Sequence, residues 1–568
     1  MGTHLIIALA AAVTAAVPSA VNPDPSGPAR DYIFPERASD GFRDVRSFGA
    51  VPEDLRSQAA AFQAAIDSLK GRPGIVYVPE GTWNLGPSGS PGEGISIKSS
   101  GVRLLGAGMG RTVLTYQSHV AIGPGGNRAA IEVGERIFPY HKLHDASFSD
   151  FTIRDLNAAL KSSGSIGAIS TIAVQYPTFE RVEFSDCKGA TCLTAEGMWV
   201  KIGDVLYPQV DQTVVVRDCW FHGTVDGARS PRNAEAVGNA SIEGDGFNGV
   251  WYDWTILEGN RFEGIGRGGA EGNFGSHLVA RGNIFRECCY GITNIATRDA
   301  VIEGNEFVDF HPLANGWNSQ SSALLFTDEG THGIDVGNVA VSSNVFKSSH
   351  GSFVVWQYDS HPHPNTMGHV AIIGNVLRRS DVGANVGRWL FWIGGPVPSH
   401  LVIASNTIET GPHGAVLGGY PGQIREADVV LVYGNAIDGT GWQSAWERAM
   451  AASPGLRFWG NAMSPPSASR IAGFRLEAAV RVPPYGRSRV FITRADVLQG
   501  GLRIGDQILG KLPDAMTTGG IRLVAWVPET DTIKFYFENI SDEPVVVPGG
   551  GASVSFAQER RGNGTEAR

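Results

Sequence analysis

The chain is poor in sulfur and in charge. Five cysteines (Cys187, Cys192, Cys219, Cys288 and Cys289) are spread over 568 residues. They are too few and too unevenly spaced for a disulfide framework, and none forms a CxxC metal pair, so buried thiols are expected, with a Cys187–Cys192 bridge as the alternative. Charged residues make up 18% of the chain, and the net charge of -10 with a pI near 5.8 leaves no basic field for a phosphate backbone. Nucleic acid is therefore excluded as an expected partner. Beyond residue 20 no apolar run is long enough to cross a bilayer, so no membrane span is expected. Glycine, in contrast, is abundant: 74 residues. It weakens helix interiors and serves tight turns, which points to an all-β, turn-rich chain.

The first twenty residues stand apart. LIIALAAAVTAAVPSA, residues 5–20, is an apolar run ending in small residues and reads as an export signal, although the leader MGTH lacks Lys and Arg. A secreted or periplasmic location follows as an expectation, with residues 21–41 as a linker.

From Val215 onward one phrase recurs: VVVRDCWFHG, TILEGNRFEG, LVARGNIFRE, AVIEGNEFVD, VAVSSNVFKS, VAIIGNVLRR, LVIASNTIET and VVLVYGNAID. Each is a short β run, a polar bend and a second short run. Asn260, Asn283, Asn305, Asn344, Asn375, Asn406 and Asn435 recur at intervals of 22 to 39 residues, a spacing that marks a solenoid with variable insertions. Further strand-like pieces lie between the phrases, so each coil has about three short strands. Asparagine suits a sharp bend because it tolerates left-handed backbone and because its amide can bond its equivalent one coil away. Phe262, Phe285, Phe307 and Phe346 are expected to stack inside. A solenoid needs caps against strand addition at its ends. DLRSQAAAFQAAIDSLKG supplies one, with Leu55, Ala59, Phe62, Ile66 and Leu69 on one face of a helix stopped by Gly71.

RDVRSFGAVPEDLRSQAAAFQAAIDSL, followed by GIVYVPEGTWNL, ISIKSSGVRLLGAG and TVLTY, resembles the opening of the pectate-lyase-like, right-handed parallel β-helix superfamily. The resemblance covers residues 42–116 by motif and, more loosely, the solenoid to 465. It implies a right-handed parallel β-helix facing a carbohydrate; the superfamily includes polysaccharide lyases, glycoside hydrolases, epimerases and phage tailspike proteins, so it leaves the reaction open. Beyond SPPSASR the phrase stops, and alternating runs between Gly and Pro turns read as a small antiparallel β-sandwich over 470–558, with a disordered tail from 559.

The third side of each coil carries CLTAEG, ASIEGD, GGAEGN, GITNIA, LLFTDEG and VWQYDS. Stacked, these place Glu196, Glu243, Glu271, Asn294, Asp328 and Asp359 near one outward line, with coils about 4.8 Å apart. Neighbouring carboxylates resist joint ionisation, so such a row is acid/base equipment. Trp251, Trp254, Trp317, Trp356 and Tyr358 fall beside it, as flat surfaces for sugar rings. His277, His332, His361 and His363 lie near the same side, and Arg298 is the best cation to neutralise a uronate carboxylate.

Three classes follow. A secreted glycoside hydrolase drawing its acid and base from Glu243 and Glu271, with Asp328 or Glu196 assisting, is placed first. A polysaccharide lyase using Arg298, with calcium held on the acids, is the alternative. A non-catalytic sugar-binding or tailspike-like scaffold is the third. No cofactor is expected for hydrolysis, the partner is a poly- or oligosaccharide, and monomer and homotrimer are both left open.

Overall fold

The computed structural model describes residues 41–559 except for connecting segments, chief among them 118–128, 157–166, 223–246, 311–320, 329–336, 359–367, 380–388, 420–428 and 439–455, and beyond residue 464 it describes strands only. The expected export signal and linker lie outside the described residues. Strands dominate, and they wind as a right-handed parallel β-helix. One coil runs Trp254–Glu258, Arg261–Glu263, Gly268–Asn273; the next repeats it as His277–Arg281, Ile284–Arg286, Tyr290–Thr293. The first two strands of every coil belong to one continuous 25-stranded sheet folded at the bend between them, and the third belongs to an 11-stranded sheet running from Ile95–Ile97 to Ala415–Gly419. All pairing within these two sheets is parallel, with register kept coil after coil.

The bend is where polar groups are buried. All seven recurring asparagines are 1% exposed or less. Each side-chain amide donates to the next one's Oδ1 at 2.9–3.0 Å, from Asn260 through to Asn435. The same Oδ1 also accepts the backbone N–H of the preceding asparagine, as Asn305 Oδ1 does from Asn283 at 2.9 Å. The second amide hydrogen goes to a backbone carbonyl of the preceding coil, as from Asn305 to Ala280 at 2.9 Å. No hydrogen-bonding capacity is wasted, which is the condition for burying an amide without penalty. One expectation is corrected here: the left-handed residue is the one before the asparagine. Gly304 (φ +64°), Ser343 (φ +57°) and Ser405 (φ +55°) hold that conformation, while the asparagines themselves do not. The asparagine is selected for its amide alone.

Just past the bend the phenylalanines stack down the interior. Ring centroids are 4.6 Å apart for Phe184–Phe221, 4.7 Å for Phe221–Phe262 and Phe262–Phe285, and 5.0 Å for Phe285–Phe307, all nearly parallel. Phe346 pairs in register with Phe307 and is fully buried.

At the front, the helix Ala59–Asp67 buries Phe62 and Ile66 over the first coils, with Phe62 edge-on to Trp83 at 6.0 Å. Leu55 is not on its buried face: it precedes the helix and is 93% exposed. Beyond residue 464 all pairing is antiparallel, in a six-stranded sheet from Ala472 to Glu559 and a separate pair, Val480–Val482 with Val545–Val547. Cys219 and Cys288 are buried free thiols, Cys192 and Cys289 are also buried, and Cys187 lies outside the described residues. Among the described residues no helix is long and apolar enough to cross a membrane.

Replacing Asn344 by alanine leaves the Asn305 amide and the Ile302 carbonyl without their partners at 2.9–3.0 Å. Unpaired buried polar groups cost about 1–3 kcal/mol each. The urea midpoint of Asn344→Ala is expected to fall by the corresponding amount with the slope unchanged; an unaltered midpoint refutes this account of the ladder.

Candidate functional site

Register decides which of the expected site residues meet. On the 11-stranded sheet the ladder through Glu271 reads Glu132, Ser170, Thr194, Asn248, Glu271, Thr293. In the next coil Ile292 pairs with Leu324, so the row continues through Leu325, Val355 and Trp392. Those three, with Cys289 and Tyr290, form a small apolar cluster separate from the interior. Glu196 is two residues ahead of this row, paired with Val250, which in turn pairs with Asn273. Two coils and two residues separate the Glu196 and Glu271 backbones by roughly 12 Å. Asp328 lies three residues past Leu325 and pairs with Tyr358. The single acidic row is thus corrected. AEG recurs in both strands, but register is set by the buried positions Ile169, Leu193, Ala270, Ile292 and Leu324, and these put the two copies two residues out of step.

The expected aromatic wall is also redistributed. Trp356 is fully buried against Phe326, ring centroids 6.1 Å apart, and is part of the interior. Glu243, Trp251, Asn294, Trp317 and His332, like Asp359, His361 and His363, lie outside the described residues.

What the structure does assemble is a polar and aromatic ridge at the corner where the 11-stranded sheet passes into the long one. One residue per coil forms it, in register: Trp254, His277, Asp299, Asn338, His369, His400. Trp254 is 40% exposed and stacks on His277, ring centroids 4.1 Å apart. His277 Nδ1 is 3.5 Å from Asp299 Oδ2, and Asp299 Oδ1 accepts from Asn338 Nδ2 at 3.0 Å. Arg298 stands exposed immediately before Asp299, its backbone N–H bonded to the Gly275 carbonyl. On the preceding coils Tyr176 Oη donates to Asp211 Oδ1 at 2.5 Å, and Asp253 Oδ2 accepts from Asp211 N–H at 3.2 Å. That bond to Asp211 is the chief reason the Tyr176 hydroxyl is raised above its ordinary value, so it stays a donor.

Glu196 stands on the adjoining 11-stranded sheet. It is half-buried, and beside it the hydroxyl of Tyr252 is held well above the usual phenol range, first by burial and then by the Glu196 charge. Tyr252 Oη donates to the Val174 carbonyl at 3.1 Å, and two residues later Trp254 begins the ridge. Glu271 is on the strand Gly268–Asn273, whose chain enters the ridge at His277. Trp254, His277 and Asp299, with Arg298 beside them, are therefore the described groups that the register brings together. Asp299 and Asn338 were not anticipated; the sign was their place in the phrase, just ahead of an apolar strand, where His277 also stands. Among the described residues no three His, Cys, Asp or Glu side chains lie together as for a metal ion.

The family described as "Rhamnogalacturonase A/epimerase, pectate lyase-like" matches over residues 42–271. Mannuronan C5-epimerases AlgE3 and AlgE4 of Azotobacter vinelandii are 40% identical over 75 residues and 41% over 71, which is 13% and 12% of this chain. The match spans only 4% and 13% of those two proteins' own lengths. Among solved structures, the AlgE4 A-module of the same organism aligns with a TM-score of 0.41 at 17% identity, covering 74% of this chain and 95% of that one. The catalytic unit of a GH87 alpha-1,3-glucanase from Streptomyces thermodiastaticus aligns at 0.46 and 16%, covering 71% and 70%.

A second ionisable pair sits elsewhere, on the outer face just past the bend. Glu183 accepts from Thr152 Oγ1 at 2.5 Å and faces His222 Nε2 at 2.8 Å. Burial opposes its charge, but the bonds from His222 and Thr152 outweigh that and hold the Glu183 carboxyl below the usual glutamate range. A depressed folded value means the ionised form stabilises the fold above about pH 4.3, and the contribution is lost as pH falls through the lower folded value. Glu183→Gln is expected to lower stability near pH 6 and to differ progressively less from the parent toward about pH 3. A pH-independent difference in urea titrations refutes the assignment.

Proposed function

We propose that the chain acts on an acidic polysaccharide at the corner ridge, by proton abstraction rather than hydrolysis. The observation that carries this reading is the register of Trp254, His277 and Asp299 with Arg298 beside them. A flat ring holds a pyranose face, a guanidinium neutralises the uronate carboxylate, and an imidazole next to a carboxylate is a base. His277 takes the proton from the carbon bearing the carboxylate. Arg298 stabilises the resulting enolate-like charge, and the electron pair forms the C4–C5 double bond as the glycosidic oxygen on C4 leaves, taking up a proton from water. The pectate-lyase-like match supports this class, as do the names of the partial relatives, mannuronan epimerases and an alginate lyase. The glycoside hydrolase reading needs two carboxyls within about 5–9.5 Å, and the offset of Glu196 from Glu271 on the sheet favours it less. Export of the chain belongs to the same proposal, since polymeric substrates lie outside the cell.

The test is a panel of acidic and neutral polysaccharides, read by new reducing ends and by the ultraviolet absorbance of unsaturated uronates. Elimination yields both signals, and His277→Ala and Arg298→Ala are expected to lower turnover by roughly a hundredfold or more. Trp254→Ala is expected to act mainly through KM. New ends without the absorbance, abolished by Glu196→Gln or Glu271→Gln, establish hydrolysis instead. Binding with neither new ends nor exchange of the uronate C5 hydrogen for solvent deuterium establishes a scaffold.

A further inference from the structure

At the far end of the same ridge two histidines stand on adjacent coils. His369 and His400 open the strands His369–Ile373 and His400–Ala404, pair directly in register, and are both exposed. Their ring centroids are 4.5 Å apart at an interplanar angle of 68°. We propose that this pair is a binding site for one divalent transition-metal ion of tetragonal preference, copper(II) foremost.

The separation is the first argument. With metal–nitrogen bonds of about 2.1 Å, two imidazoles bound at a right angle have ring centroids about 4.6 Å apart, whereas a tetrahedral angle requires about 5.3 Å. The observed 4.5 Å, set by the strand spacing as in the phenylalanine stack, falls at the right-angled value. Right-angled neighbours belong to the tetragonal geometry of copper(II) and nickel(II), and copper(II) binds nitrogen donors tighter than its first-row neighbours.

Rigidity is the second. The His369 N–H is bonded to the Gly337 carbonyl at 2.9 Å and the His400 N–H to the Gly368 carbonyl at 3.3 Å. The residues that follow, Val370 and Leu401, are buried, and at the far end of the same two strands Asn375 and Asn406 are locked amide to amide at 2.9 Å. The two imidazoles therefore project from a backbone frame that cannot shear. His400 Nδ1 lies 3.4 Å from Ser399 Oγ, which leaves Nε2 for coordination. The ladder neighbours on either side are Asn338 and Val429, so among the described residues the ladder supplies two imidazoles, and the ion's other positions are open to water or to an oxygen-donor ligand.

The experiment titrates the full chain with copper(II) in a non-coordinating buffer, counts bound ions by equilibrium dialysis, and records the nitrogen hyperfine pattern by electron paramagnetic resonance. His369→Ala and His400→Ala are each expected to remove the same single ion and its two-nitrogen signature, and the double variant no more than that. His277→Ala, on the same ridge, is expected to keep it. Circular dichroism confirms folding, which the exposure of both side chains protects. An unchanged ion count in either single variant overturns the proposal, and so does a wild-type spectrum lacking two equivalent nitrogens. Preference for zinc(II) over copper(II) in competition overturns the tetragonal assignment.

Discussion

Amide bonded to amide along the bend is the constraint on which the structure depends. A parallel solenoid must turn sharply inside its own interior, and a sharp turn exposes backbone groups that the ladder cannot pair. The asparagine column meets those groups with one side chain per coil, each amide saturated by the coil before and the coil after. Because identical partners must line up, the column also forbids slippage, and that carries the phenylalanines into a single stack. Polar satisfaction and aromatic packing are thus enforced by the same register.

Register then explains what was legible in the residues and what was not. The asparagine phrase, the phenylalanine stack and the capping helix follow from patterns that are local and repeat. The acids do not repeat in that sense. Glu196 and Glu271 share a three-residue signature, but their places on the sheet are fixed by Leu193 and Ala270, which occupy equivalent buried positions at different distances from the acid. A motif match between two strands is no substitute for the apolar alternation that aligns them. Trp356 shows the same limit: a tryptophan on the expected strand faces inward because alternation puts Val354 and Trp356 on the same, interior side.

Chemistry collects instead at the corner. Strand starts there are held by backbone bonds on the preceding coil, from Trp254 N–H to Gln212, His277 N–H to Asp253 and Asp299 N–H to Ser276. Side chains at those positions are anchored at their base yet stand in solvent, which is the combination a binding surface for an extended polymer requires. The carboxylates, imidazoles and indole of the ridge recur once per coil, so their spacing is inherited from the sheet and owes nothing to the loops between.

The asparagine column has a further property: it looks the same from every coil. Each amide sees one asparagine above and one below, whatever the length of chain between them, and those lengths run from 22 to 39 residues here. A duplicated coil inserted in the middle would find every bond already provided for, and a deleted one would leave none open. Number of coils, and the size of each excursion, are therefore free to vary by descent without renegotiating the interior. A molecule built this way can lengthen its working surface one sugar-sized step at a time.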